Sequence, residues 1–347
     1  KELSVLKAEA YHILAFRIAV EKGEFERAQS LSVLALQDKN LDDSWIDRLS
    51  WYIGFYNYLD GNYALAQKRW LKLLNETKDD TIRPKLYFWL AKTHDRMSQE
   101  DESEHYLDAL IEDYPVSYYS VVAPKKSGIS AGKDWRQVFG DLEDLSSDLK
   151  DGRDYNLGHV RNDSELGPLL LRSEILIAAG LQKWAKYAIS TYGRKFSKRY
   201  ILENHGPEFV YLTRLHYNSG NFLSAIALTT KLMRGIPRFW NNYPEQALIY
   251  FPKPFMAPYK KEALEYRLEP ELLLAISRQE SGFTPDIKSH AGAIGVMQLT
   301  PSTANRFKEI LKVGGSDIRK ELINPDVNIK MGAYYLHLLN RTYKGYK

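Results

Sequence analysis

The absences in this sequence exclude several kinds of site. The chain of 347 residues has no cysteine, which excludes disulfide bonds and thiolate metal sites. Its 8 histidines are scattered, and none lies in a metal-ligand pattern such as His-Glu-x-x-His. No apolar run approaches the ~18 residues of a membrane-spanning helix, and no Lys/Arg block is dense enough for a nucleic-acid footprint. We therefore expect no metal, no cofactor and no nucleic-acid partner.

What the sequence does contain is apolar residues at helical spacing. Hydrophobic residues make up 44% of the chain, which is enough to build packed cores in two or three domains. In the segment Tyr11–Val20, apolar residues recur at Ile13, Phe16 and Val20, and few alternating, β-rich segments occur anywhere. The sequence therefore predicts an all-α fold.

A short pattern, Gly-x-aromatic-x-x-Ala, recurs along the chain. Copies begin at Gly23, Gly61 and Gly220, with a looser copy at Gly180; the first two copies are 38 residues apart and the last two are 40 apart. This spacing is typical of helix-turn-helix repeats. Each glycine is expected to end one helix in a left-handed cap. The pattern predicts a superhelix of tetratricopeptide-like repeats, which by itself indicates binding or scaffolding rather than any chemistry.

Two irregular segments divide the chain. The stretch Pro124–Lys133 is rich in Pro, Gly, Ser and Lys and lacks helical periodicity, and four prolines lie between Pro237 and Pro254. We predict N-terminal repeats over residues 1–123, a linker or loop over 124–136, a second helical-repeat region over 137–240 and a separate domain over 241–347.

One acid in the C-terminal domain has a setting suited to acid–base chemistry. Pro270 favours a helix start and Gly282 a helix stop. Four residues of this helix share one stripe, namely Leu272, Leu273, Ile276 and Glu280. We expect Glu280 to continue this apolar face, where partial burial and the negative helix end would disfavour its charged form. Such a carboxyl could act as a general acid. The alternative is a surface glutamate at a fraying helix end.

A loop of small residues follows this helix. Gly292 and Gly295 flank Ala293-Ile294, and glycine allows backbone to approach a ligand closely. Met297 would supply an apolar wall and Gln298 an amide with both a donor and an acceptor, as an N-acetyl group requires. By itself such a loop is also consistent with an ordinary turn.

Together these residues resemble the signature of the soluble lytic transglycosylases, which are lysozyme-like enzymes that act on bacterial peptidoglycan. The matching segments are Glu280-Ser281, Ser289, Gly292-Ala293, Gly295–Gln298, Thr300-Pro301 and Asn324–Tyr335, with looser matches at Tyr114–Tyr119 and Tyr250–Phe255. The resemblance implies a lysozyme-like α domain after an α-superhelical domain. It also implies that the catalytic domain continues beyond Lys347 with an Ala-Tyr-Asn-Ala-Gly segment.

The resemblance further implies a reaction and a set of site residues. The β-1,4 bond between N-acetylmuramic acid and N-acetylglucosamine would be cleaved with formation of 1,6-anhydromuramic acid. Glu280 would be the sole general acid and base, where most glycosidases use two carboxylates. The residues implied to contact the substrate are Ser289, Gly295, Met297, Gln298 and Tyr335.

Partners and location also follow from the resemblance. Peptidoglycan glycan strands are the expected substrate, the helical repeats are a candidate surface for other cell-wall proteins, and the expected location is the periplasm or cell envelope. Two alternatives stay open: a non-catalytic glycan-binding or scaffold protein with helical repeats, and a muramidase that uses water.

Overall fold

The structure is a computed structural model that describes residues 2–123, 155, 157–199, 206–236, 238–313 and 315–343. Within these ranges the regular structure is helical, apart from two isolated β-bridges, Lys288 with Ile294 and Ile294 with Leu299. The prediction of an all-α fold is therefore confirmed. None of the helices in these ranges is long and apolar enough to cross a membrane.

The helices before residue 124 are α1 (Glu2–Lys22), α2 (Phe25–Leu36), α3 (Asp43–Leu59), α4 (Tyr63–Glu76), α5 (Arg83–Arg96), α6 (Glu100–Asp113) and α7 (Tyr118–Val122), with a 3₁₀ turn at Asp80–Ile82. Those after residue 156 are α8 (Gly158–Arg161), α9 (Leu166–Ala178), α10 (Gln182–Arg199), α11 (Pro207–Asn218), α12 (Phe222–Gly235), α13 (Phe239–Asn242), α14 (Gln246–Tyr250), α15 (Met256–Tyr266), α16 (Pro270–Ser281), α17 (Pro301–Phe307), α18 (Ile318–Glu321) and α19 (Pro325–Tyr343).

The predicted repeats are present as consecutive helix pairs. Helices α1 and α2, α3 and α4, α5 and α6, and α9 and α10 pack against each other. The glycines of the sequence pattern stand at turns with φ between 68° and 81°, namely Gly23, Gly61, Gly180 and Gly220. The alanines five residues on from them are fully buried, namely Ala28, Ala66, Ala185 and Ala225. The expected left-handed glycine caps are confirmed.

The turn between α5 and α6 was not predicted, because it lacks the glycine. Ser98 occupies the left-handed position with φ 58°, and Ser103, five residues on, is 2% exposed. Serine can adopt this conformation at an energetic cost that glycine avoids. The same helix pair therefore forms from a sequence that departs from the pattern.

Aromatic side chains build the core of the first helix pairs. Trp70 of α4 is fully buried, and its indole N–H donates to the carbonyl of Trp51 at 3.1 Å. Gly54 makes room for it, since a Cβ there would lie 2.3 Å from the Trp70 indole nitrogen. Much of the aromatic content of this part is thus explained by packing.

The chain divides into two compact units, one of Lys1–Leu145 with Met233–Pro244 and one of Ser146–Leu232 with Glu245–Lys347. The linker predicted over 124–136 lies outside the described residues. The predicted domain limits at residues 123, 136 and 240 stay predictions. The C-terminal part of the second unit has two packed clusters, one around Tyr259, Leu273 and Ile329 and one around Phe307, Leu322 and Met331.

Candidate active site

Helix α16 carries the candidate acid, and its ends follow from local sequence. It begins at Pro270, which needs no N–H partner in the first turn. It ends at Gly282, which has φ 55° and whose N–H bonds to the carbonyl of Arg278 at 3.2 Å. The predicted start and stop are both confirmed. Glu280 therefore lies in the last turn, two residues before the cap.

The expectation that Glu280 is partly buried is wrong, because its side chain is exposed. The buried stripe of α16 runs through Leu273, Ser277 and Ser281, residues spaced by four along the helix. This spacing inclines the stripe across the helix surface, so that at the last turn it passes through Ser281 and leaves Glu280 beside it. The described residues thus leave the carboxyl open to solvent and to a ligand.

Three contacts fix the end of α16. The hydroxyl of Ser281, itself 3% exposed, lies 2.7 Å from the carbonyl oxygen of Val296 and 3.0 Å from that of Ser277, and donates to them. Arg278 donates from Nε to the Tyr250 carbonyl at 3.2 Å. Gly282 packs so closely on Leu223 that a Cβ would lie 2.7 Å from the leucine side chain. The backbone that carries Glu280 is therefore held from three directions.

Helix α15 packs behind α16 and contributes a neutral phenol to the core. Tyr259 is fully buried, and burial raises its pKa to about 12, because a phenolate has lost its water there. This side chain thus stays uncharged near neutral pH and acts as core.

The loop after α16 closes on itself through the two β-bridges. Ile294 and Leu299 exchange N–H···O bonds of 2.9 and 3.1 Å, and Gly295 donates to the carbonyl of Ile287 at 3.2 Å. Ser289 organises the first turn, where its hydroxyl accepts from the N–H of Ala293 at 3.1 Å. The structure therefore gives Ser289 a turn-forming role, and its contact with substrate stays a prediction.

Asn328 of α19 holds this loop, and sequence reasoning did not select it as a site residue. It is fully buried, and its Oδ1 accepts from the N–H of Met297 at 2.8 Å. Its Nδ2 donates to the carbonyls of Ile294 and Leu322, both at 2.9 Å. The amide therefore satisfies three buried backbone groups. The sequence signal that could have identified Asn328 is its position between two apolar residues of a helix, in Val327-Asn328-Ile329.

Gly295 and Met297 have packing roles in the structure. Gly295 is buried, and a Cβ there would lie 2.2 Å from the Asn328 amide nitrogen. Its lack of a side chain accommodates Asn328, and its contact with substrate stays a prediction. Met297 is 7% exposed and belongs to the core, with its sulfur against Gly332. Its contact with substrate stays a prediction.

Gln298 and Tyr335 are the more accessible members of the predicted set. Gln298 is half-buried and donates from Nε2 to the carbonyl of Gly295 at 2.9 Å. Its left-handed backbone, with φ 48°, turns the loop at this point. Tyr335 is 36% exposed and lies on α19 with its ring 5.7 Å from that of Phe307. No described residue donates a hydrogen bond to the Gln298 side-chain oxygen.

The structure therefore brings four of the predicted substrate residues together in one loop, tied through Ser281 to the end of the helix that carries Glu280. The fifth, Tyr335, lies on α19, whose Gly332 touches Met297. This arrangement places the exposed Glu280 carboxyl at the end of a helix that is tied to a loop held by buried hydrogen bonds. Chemically, it could deliver or accept one proton at a bound ligand.

Comparison with known proteins agrees with the C-terminal resemblance. Residues 257–347 match the family model of the transglycosylase SLT domain. The chain is 30% identical over 175 residues to membrane-bound lytic murein transglycosylase C of Histophilus somni, covering 48% of this chain and 47% of that protein. It is also 30% identical over 99 residues to the soluble lytic murein transglycosylase of Escherichia coli K12, covering 28% of this chain and 15% of that protein.

Among solved structures, the X-ray structure of an inactive mutant of lytic transglycosylase Slt from Pseudomonas aeruginosa aligns with a TM-score of 0.46 and 21% identity. The alignment covers 95% of this chain and 53% of that one. The chain spans about half the length of the Histophilus relative. The resemblance to the lytic transglycosylases is confirmed for the domain that contains Glu280.

Proposed function

We propose that this chain has lytic murein transglycosylase activity and cleaves the β-1,4 bond between N-acetylmuramic acid and N-acetylglucosamine. The observation that carries the proposal is the match of residues 257–347 to the transglycosylase SLT domain, which includes Glu280. The exposed position of this carboxyl beside the bridged loop supports it. Names of the relatives agree with this reaction class.

In the proposed reaction Glu280 acts twice. As an acid, it donates its proton to the glycosidic oxygen while the bond from that oxygen to C1 of muramic acid breaks. As a base, it then takes the proton of the 6-hydroxyl of the same sugar while that oxygen bonds to C1. The carboxyl ends as it began and no water is consumed, so one carboxylate suffices where most glycosidases need two.

The exposure of Glu280 adds a requirement to this mechanism. A general acid must hold its proton when the bond breaks. We propose that the bound glycan itself covers Glu280 and removes its water, which would favour the protonated form. The acid would then be prepared only when the substrate is in place.

The surrounding residues divide into two groups in this proposal. Ser289, Gln298 and Tyr335 would contact the glycan, with the Gln298 side-chain oxygen accepting from an N-acetyl N–H. Gly295 and Met297 would act through packing, since the first leaves space for Asn328 and the second fills the core. The helical pairs of the first unit would hold glycan strands or other cell-wall proteins, in the periplasm or cell envelope.

Mass spectrometry of peptidoglycan incubated with the purified chain tests the reaction. We expect 1,6-anhydromuramic acid ends. Reducing muramic acid ends would instead identify a muramidase that uses water, and binding without cleavage would identify a glycan-binding protein.

The role of Glu280 is tested by Glu280→Gln, with Glu271→Gln on the same helix as the matched control. The first variant should lose at least about 10²-fold in turnover, the lower range for removing a general acid, and keep glycan binding. Glu271 lies in the first turn of α16 and its variant should cleave normally. Turnover retained by Glu280→Gln would remove this residue from the acid role.

A further inference from the structure

A second candidate site lies in the C-terminal domain, among α15, α18 and the first turns of α19. A cavity of about 450 Å³ opens there, a volume within the ~300–1,000 Å³ of small-molecule sites. Charged side chains of both signs line it, namely Lys261, Glu262, Lys312, Glu321, Asp326 and Lys330. None of these residues belongs to the Glu280 site.

Glu262 is the unusual member of this lining. Its side chain is 5% exposed, and the nearest cation, the ammonium of Lys261 at 3.7 Å, sits on a side chain that is 78% exposed. Among the described residues, no group donates a hydrogen bond to its carboxylate. Removing a carboxylate from water is costly unless donors replace the lost water. The cavity beside Glu262 is the place from which such a donor can come.

The positive charge of the cavity is also carried by Lys330 and Lys312, which lie on other segments of the lining. The ammonium of Lys330 donates to the carbonyl of Leu311 at 2.8 Å, which anchors it at the cavity. Lys312 stands on the exposed rim with a left-handed backbone, φ 51°. No carboxylate of the described residues forms an ion pair with either lysine. The cavity therefore presents two lysines without an ion-pair partner among the described residues, and a buried carboxylate whose ion-pair partner, Lys261, is exposed.

This arrangement does not suit a metal ion. No group of three or more metal-ligating side chains converges anywhere in the described part of the chain, so the three carboxylates of the lining are not arranged as a ligand set. A ligand that bears both an ammonium group and a carboxylate fits both walls.

We propose that this cavity binds an amino acid or short peptide, whose ammonium group lies against Glu262 and whose carboxylate lies against Lys330 and Lys312. The buried carboxylate would gain charge-assisted hydrogen bonds from the ammonium group, which are stronger than bonds between neutral groups. The site is independent of cleavage at Glu280, so either could exist without the other.

Isothermal titration of the full chain at neutral pH with glycine, diglycine and triglycine tests the proposal. We expect saturable binding of at least one of these zwitterions. For the peptide that binds, N-acetylation removes the ammonium group and C-terminal amidation removes the carboxylate, and each should weaken binding at least tenfold. Absence of saturable binding by all three, or an acetylated or amidated form that binds as tightly as the unmodified peptide, would overturn the proposal.

Variants locate the binding. Glu262→Gln should weaken binding at least tenfold, whereas Glu265→Gln, on the exposed side of the same helix, should not. Ala257→Phe adds a bulky group at an exposed lining residue and should block the cavity without disturbing the core. It therefore keeps the test decisive if Glu262→Gln unfolds, as a lowered melting temperature would reveal. Unchanged affinity in a folded Glu262→Gln or in Ala257→Phe contradicts the assignment.

Discussion

Replacing Asn328 by leucine should loosen the loop beside the candidate acid. The substitution keeps a side chain of similar size and removes three hydrogen bonds, to the N–H of Met297 and to the carbonyls of Ile294 and Leu322. All three of these residues are buried, so water cannot easily replace the lost amide. The loop would keep its own bridges and lose its attachment to α19.

The expected loss of stability can be worked from these contacts. An unsatisfied buried backbone group costs about 1–3 kcal/mol, and two such groups result, because the carbonyl of Ile294 still accepts from the N–H of Leu299. Leucine recovers part of this through apolar contacts, which leaves a net loss of about 1–4 kcal/mol in the free energy of unfolding. Asn340→Leu, an exposed site on the same helix, is the control and should change stability by no more than about 0.5 kcal/mol.

Denaturant unfolding measures the global effect, and amide hydrogen exchange measures the local one. We expect the N–H of Met297 to exchange much faster in Asn328→Leu than in the wild type, because its acceptor is gone. We also expect Asn328→Leu to cleave peptidoglycan more slowly than the wild type. Wild-type stability combined with wild-type exchange at Met297 would refute the argument that Asn328 holds the loop.

Three further substitutions have defined expectations. Gly295→Ala should destabilise by more than about 3 kcal/mol, because its Cβ would meet Asn328, whereas Gly292→Ala has open space and should lose only about 1 kcal/mol from its positive φ. Ser98→Gly should stabilise by up to about 1 kcal/mol by relieving the left-handed backbone; an unchanged melting temperature would contradict this. Burial lowers the pKa of His216 to about 4, so below the unfolded value of 6.5 the unfolded state gains the proton first. Stability should then fall by up to about 3 kcal/mol between pH 6.5 and 4, and His216→Gln should show a shallower fall in melting experiments.

Local sequence signals predicted turns and helix ends correctly at positions where few residue types can adopt the required backbone conformation. Gly61 and Gly282 mark turns because only glycine adopts positive φ without strain. Pro270 marks a helix start because it has no N–H to satisfy. The turn at Ser98 was missed, because packing of α5 on α6 imposes a conformation that serine by itself disfavours.

The candidate site was predicted less completely, for a physical reason. Apolar spacing placed Glu280 on a buried stripe, but spacing cannot tell which neighbour the helix packs against. Contacts of α16 with Val296 and Leu223 incline the buried face toward Ser281. Exposure of the acid therefore depends on residues distant in the chain.

By itself, the sequence determined the all-α class, the helix pairs, the limits of α16 and the resemblance that the domain match confirms. These depend on backbone preferences and residue order, which act over a few positions. Tertiary structure alone decided that Glu280 is exposed, that Gly295 makes room for a side chain, and that Asn328 joins a loop 31 and 34 residues away. Burial and hydrogen-bond partners are properties of segments brought together, and no single segment contains them.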